Sequence, residues 1–285
     1  YFYDERGSQL FDQITQLHEY YPTETELGIM HDNIGEIADL VGAQASLIEF
    51  GSGSGRKTRI LLESLAQLAA YVPVDISDDH LRESAKKRQA EFPHIEVIPV
   101  VADFTREFDL PQPSVMPLRN IVYFPGSTIG NFTHDDAIKL LKVMYTEAGA
   151  GGALLIGVDL QKDPEIIERA YNDDAGVTAE FNLNMLRHLN REFGTDFDLD
   201  AFSHLAEYNS DEGRIELRLV SSEEQEINIG DEEITIAEEE AILTEYSHKY
   251  TLASFAEMAA SAGFSVARVW TDADRLFSVQ YCVRD

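Results

Sequence analysis

Cysteine is almost absent. Cys282 is the single thiol in 285 residues, so no disulfide forms within the chain and a zinc–thiolate cluster is not expected. Basic residues are scarce as well: 22 lysines and arginines against 52 acids leave a formal net charge of −30. A surface this acidic repels phosphate backbones and anionic membranes, which argues against nucleic acid or membrane as partner. No apolar run approaches the roughly 18 residues of a membrane span. Nor does a basic segment with a cleavage signal open the chain at Tyr1, and there is no internal repeat or low-complexity linker. These absences lead us to expect a soluble, cytoplasmic, metal-free monomer acting on a small molecule. With 44% apolar residues the chain can bury a sizeable core, as one large α/β domain or two smaller ones.

What is present alternates. Apolar runs suited to buried strands occur at 46–50 (SLIEF), 70–76, 95–101, 119–124 and 152–158, with amphipathic helix-like stretches at 57–68, 78–91 and 134–148 between them. Such an order predicts an α/β fold, a parallel sheet with helices on both faces. The rhythm breaks near residue 160. Residues 161–209 read as mostly helical and 214–236 as a small antiparallel meander. A helix at 251–262 and strands at 264–270 and 276–283 then resume the first pattern. The α/β domain is therefore expected to carry an insertion, which with the aromatic-rich N-terminal segment would form a lid over the carboxyl ends of the strands, where open α/β sheets bind ligands.

The first strand runs into Glu49-Phe50-Gly51-Ser52-Gly53-Ser54-Gly55. Arg56 stands where a Walker A loop needs glycine before its lysine, and it also breaks the dinucleotide fingerprint. An acid followed by three alternating glycines is the first motif of S-adenosylmethionine-dependent methyltransferases, though alone it is equally a structural turn. Asp75 ends the second strand, where a carboxylate can accept two ribose hydroxyls. Asp103-Phe104 ends the third, where an acid can meet an adenine amino group and a ring can cover its face. Each aspartate by itself reads more readily as a solvated strand end or a helix cap. Acids at three successive strand ends favour a nucleoside site.

Longer segments carry a resemblance. Tyr1-Phe2-Tyr3-Asp4, Glu19-Tyr20-Tyr21-Pro22-Thr23, Lys57-Thr58-Arg59, Gly126-Ser127-Thr128-Ile129-Gly130-Asn131, Tyr171 in AYNDDAGVTAEFN, DFDLDAF at 196–202 and Leu243-Thr244-Glu245-Tyr246-Ser247 stand in an order that resembles the histidine Nα-methyltransferases of ergothioneine biosynthesis. The resemblance implies a Rossmann-like class I methyltransferase domain, 27–160 with 251–285, and an inserted α+β substrate-binding domain, 1–26 with 161–250. It implies S-adenosyl-L-methionine as cofactor, touching Gly51, Lys57, Asp75, Asp103 and Phe104, with Lys57 meeting its carboxylate. For the amino-acid substrate it implies Tyr20 and Tyr171 at the carboxylate, Asn131 at the α-amine with Tyr3 nearby, and Glu245 and Ser247 at the imidazole. Two positions depart from the family: Leu217 stands where it places methionine against the substrate side chain, and Tyr246 replaces a smaller residue. Asn131 and Tyr3 are the expected catalytic residues, acting by position, since methyl transfer to a neutral amine is an in-line displacement and no dedicated base is evident. The rival expectations are another amino acid as substrate, or a non-catalytic sensor on the same fold.

Overall fold

The computed structural model describes residues 4–51 and 55–284. Helices α1 (Glu5–Ile14) and α2 (Tyr21–Val41) precede β1 (Ala45–Phe50), α3 (Arg56–Ser64), β2 (Ala70–Asp75) and α4 (Asp78–Glu91). Strands β3 (Glu96–Val97), β4 (Val100–Val101) and β5 (Arg119–Phe124), helix α5 (His134–Ala148) and β6 (Ala153–Asp159) follow. Next come α6 (Pro164–Tyr171), α7 (Val177–Phe193), β7 (Phe202–Asn209), β8 (Arg214–Ser221), β9 (Gln225–Ile229), β10 (Glu232–Ile236) and β11 (Ala241–His248). Helix α8 (Leu252–Ser261), β12 (Phe264–Thr271) and β13 (Phe277–Arg284) close the chain. No helix among the described residues is long and apolar enough to cross a membrane.

The chain divides into two compact units. One joins the segment through Thr23 to Gln161–Lys249; the other joins Glu24–Leu160 to the segment from Tyr250 onward. The first joint thus falls after Thr23, not after residue 26.

The larger unit is an eight-stranded sheet in the order β12-β13-β6-β5-β1-β2-β3, with β4 also pairing β2. Pairings from β3 to β6 are parallel, while β13 runs antiparallel to β6 and to β12. The continuous apolar runs follow from burial on both faces. Ile48, Phe50, Val122 and Phe124 pack on the side of α5 and α8. Leu47, Tyr71, Ile121 and Tyr123 pack on the opposite side, with Met30 and Ile37 of α2 and Leu61 of α3. The run at 95–101 is not one strand. Pro99 has no N–H to donate, and the segment splits into β3 and β4.

The smaller unit corrects two expectations. Residues 202–209 form β7 rather than helix: Phe202 and Ala206 are buried while Ser203, Leu205 and Glu207 are exposed, a period of two. The expected meander is two sheets. β8 lies between β7 and β11, all antiparallel, and β9 pairs only with β10. The N-terminal segment is tied into this unit by Asp4, which caps α1 through the Gly7 N–H (2.7 Å) and accepts from Asn184 of α7 (2.8 Å).

Candidate active site

In the larger unit, the expected cofactor residues converge at the carboxyl edge of the sheet. Gly51 donates its N–H to Val74 (2.9 Å), and Asp75 accepts through its carbonyl from Ala102 (3.1 Å), which sets Gly51, Asp75 and Asp103 along one edge. Gly51 has φ +75°, a conformation that side chains resist, and a Cβ there would sit 3.7 Å from the Phe104 ring. Phe104 packs against Phe50 with ring centroids 5.5 Å apart and the planes tilted by 31°, so one side of its ring is fixed by the core. Asp75 accepts from the Ser77 N–H (3.1 Å). Asp103 accepts from the Thr105 hydroxyl (2.6 Å) and N–H (3.0 Å), and these bonds hold its carboxyl below the ordinary range.

Lys57, in the first turn of α3, is not a solvated lysine. It is ion-paired with Glu26 of α2, a fully buried carboxylate that also accepts the Gly126 N–H at 2.9 Å. Gly126 opens the turn after β5 that ends in Asn131, which is half-buried. Ser127 in that turn takes φ +56° and its buried hydroxyl accepts the Asp159 N–H (2.9 Å). Glu49, read in the sequence as one of three ligand-facing acids, turns away from that task. It is buried, accepts from Thr58 (2.6 Å) and from the Tyr71 hydroxyl, and burial outweighs those bonds to push it up to about 7. Its role is to brace α3 and β2 against β1.

In the smaller unit, the expected substrate residues gather on one face of the β7-β8-β11 sheet. A bulge at Thr244 sets the phase: Leu243 lies opposite Arg218 but Glu245 lies opposite Leu217 and Ser247 opposite Ile215. Glu245, Ser247 and buried Leu217 therefore share a face, on which Tyr171 packs beside Ala206, Ile215 and Leu217. Burial raises the Glu245 carboxyl to about 7 against the opposing pull of the Lys249 ammonium. Tyr20, 9% exposed, meets the Tyr171 ring edge-on at 6.0 Å. Tyr246 is not part of this group. It faces the other side, under Arg214 (4.8 Å) and against His248 (5.3 Å). Tyr3 lies outside the described residues.

Three residues were missed in the sequence. Lys249 is 3% exposed and donates to the Tyr171 hydroxyl (2.9 Å) and to the Ser247 hydroxyl (3.0 Å). The period of two in Glu245-x-Ser247-x-Lys249 was a readable signal. His204 of β7 reaches the Tyr171 carbonyl at 2.8 Å while its other ring nitrogen meets Asn182 at 2.9 Å, and burial lowers its pKa. It fixes the end of α6 and hence Tyr171. Glu26 had no local signal, because its partners are far away in the chain.

A strand order with an antiparallel β13 between β6 and β12, and a glycine turn with acids at the following strand ends, define a class I S-adenosylmethionine-dependent methyltransferase. The same architecture occurs in a crystal structure of an S-adenosylmethionine-dependent methyltransferase from Clostridium acetobutylicum, with a TM-score of 0.55 at 9% identity, covering 96% of this chain and 98% of that one. Residues 1–284 match the family described as histidine-specific methyltransferase, SAM-dependent, and the chain belongs to that family. It is 41% identical over 290 residues to the histidine N-alpha-methyltransferase of Mycolicibacterium smegmatis, covering 100% of this chain and 89% of that protein. It is 40% identical over 278 residues to the protein of the same name from Mycobacterium tuberculosis, covering 95% and 85%.

Proposed function

We propose that this enzyme trimethylates the α-amine of free L-histidine to hercynine, a step toward ergothioneine, as a cytoplasmic monomer that acts on no nucleic acid. The observation that carries the reading is the pairing of Glu245 with Ser247 on one face of β11, above Leu217. A neutral imidazole offers one N–H and one acceptor nitrogen, which a carboxylate and a hydroxyl complement. The identity to histidine N-alpha-methyltransferases over the whole chain supports the same substrate.

S-adenosylmethionine, when bound, supplies an electrophilic methyl group on a sulfonium. Gly51, which leaves space for close approach, and the Asp75 and Asp103 carboxylates suit its nucleoside, with Phe104 against the base. Lys57 is assigned its carboxylate and is held for that task by Glu26. On the substrate side, Tyr20 and Tyr171 would take the carboxylate and Asn131 the amine. The contribution of these residues is position: the reacting lone pair must be neutral and aligned. In this reading water takes the proton of the amine.

The test is mass spectrometry of the purified protein with S-adenosylmethionine and each of the twenty amino acids. Histidine gaining one, two and three methyl groups, with its mono- and dimethylated forms accepted in turn, is the expected result. Preference for tryptophan or an unrelated amine would refute the histidine assignment while leaving the methyltransferase class intact.

A further inference from the structure

A hydroxyl carries one donor and two acceptor sites, so Ser247 and Tyr171 could each give or take a hydrogen bond toward a ligand. Their neighbour decides. An ammonium has three donors and no acceptor, and the buried Lys249 ammonium reaches both hydroxyl oxygens, at 3.0 Å and 2.9 Å. Each oxygen accepts from Lys249, and each O–H is directed elsewhere. We propose that Lys249 is a positioning residue that makes Ser247 and Tyr171 hydrogen-bond donors toward the substrate and so selects neutral imidazole over imidazolium. The inference rests on the histidine reading above.

The argument is one of polarity and charge. Neutral imidazole gives its N–H to Glu245 and takes the Ser247 O–H on its other nitrogen. An imidazolium presents two N–H groups, so Ser247 would have to accept from it as well as from Lys249 with its own O–H turned away, and it adds a second cation beside Lys249. Among the described residues, the following groups are placed about Lys249. Glu245 and Ser247 come from β11 and Tyr171 from α6, with Tyr20 against Tyr171; β8 contributes apolar Ile215 and Leu217 to this face. On β7, Tyr208 packs there, and His204, bonded to the Tyr171 carbonyl, is held toward its neutral form by burial. Arg214, Glu216 and Arg218 pair with one another on the opposite face. Glu245 itself titrates near 7 with Lys249 present, and loses the charge that restrains it when Lys249 is neutralised.

Histidine binding to the complex with S-adenosylhomocysteine, measured by calorimetry between pH 6 and pH 8, tests this. For the unaltered protein, ionised Glu245 and neutral imidazole both form as pH rises, so the Kd should fall by about tenfold or more over that range. Lys249→Met should weaken binding at pH 8 by about tenfold and flatten or reverse the pH dependence, because imidazolium then replaces the lost cation beside Glu245. A purely structural lysine would change affinity without changing the slope. An unchanged slope in Lys249→Met overturns the inference and leaves the histidine reading standing. If that variant does not fold, the unaltered protein still decides: tighter binding at pH 6 than at pH 8 overturns the inference. No histidine binding at either pH removes both.

Discussion

Gly157 of β6 lies against Glu26 of α2. A Cβ on Gly157 would collide with the Glu26 carboxylate, standing 2.9 Å from its Cδ and 3.1 Å from the Gly126 nitrogen. Three backbone-level facts meet there: a strand without a side chain, a buried acid occupying the space, and a turn whose N–H that acid accepts. The acid in turn holds Lys57.

Gly157→Ala should therefore act on both stability and cofactor binding. Overpacking of this kind costs about 1–3 kcal/mol, and the displaced carboxylate frees Lys57 and the Gly126 turn to move. Urea unfolding and calorimetry with S-adenosylhomocysteine should report both losses. Stability lost with cofactor affinity intact would mean that Glu26 does not position Lys57 for the ligand.

Glu49 predicts a pH dependence of stability. Burial raises its carboxyl from 4.5 to about 7, so the folded state holds a proton that the unfolded chain releases. That stabilisation is fully present below pH 4.5 and is lost as pH rises through 7, a change of roughly 3 kcal/mol at most. Glu49→Gln cannot lose a proton and should lack this slope. In urea melts the advantage of the unaltered protein over Glu49→Gln should be larger at pH 5 than at pH 8. Equal differences at the two pH values would place the ionised form in the core.

Much of this was legible in the sequence, for physical reasons. Strands covered on both faces must be apolar throughout, and SLIEF and its counterparts announced a parallel sheet. Glycine at 51 and the acids at 75 and 103 fall along the carboxyl edge of the sheet, as the alternating pattern implies, and that edge is where the cofactor is proposed to bind. What escaped notice depends on distant partners. Glu49 looks like a ligand acid until Tyr71 and Thr58 fold onto it. The pairing of β8 with β7 and β11 skips the adjacent β9, so chain order misleads. Tyr246 could have been placed from alternation alone, since its neighbours Glu245 and Ser247 share the other face.

Tyr171→Phe separates binding from chemistry. The ring packing on Tyr20 survives, but the substrate carboxylate and Lys249 each lose a hydroxyl partner. A hydrogen bond to a charged group is worth about 1.5–3 kcal/mol, so the KM for histidine should rise by about tenfold or more, and the melting temperature should fall. Asn131→Ala should instead mainly lower kcat, because it is assigned the reacting amine. Full activity on histidine whose carboxylate is blocked as an amide would contradict the role of Tyr171.

Glu245 carries the sharpest prediction. Its carboxylate stands beside Ser247 above the apolar side chain of Leu217, burial raises it to about 7, and the N–H of an imidazole is the donor it is assigned. A phenylalanine or leucine side chain brings no such donor, and a buried carboxylate denied one of its hydrogen bonds costs more than a difference in size. Glu245→Ala removes that penalty along with the imidazole contact. Histidine turnover should fall by about tenfold or more, and the discrimination against aromatic and apolar amino acids should shrink in the same variant. Leu217→Met nearly conserves volume on the floor of the same face, so its histidine kinetics should stay within about tenfold of the unaltered enzyme. Competition assays with histidine, phenylalanine and tryptophan, run on all three proteins, separate the outcomes. Unchanged histidine kinetics in Glu245→Ala would move the imidazole away from β11, and with it the basis for reading this face as the specificity pocket.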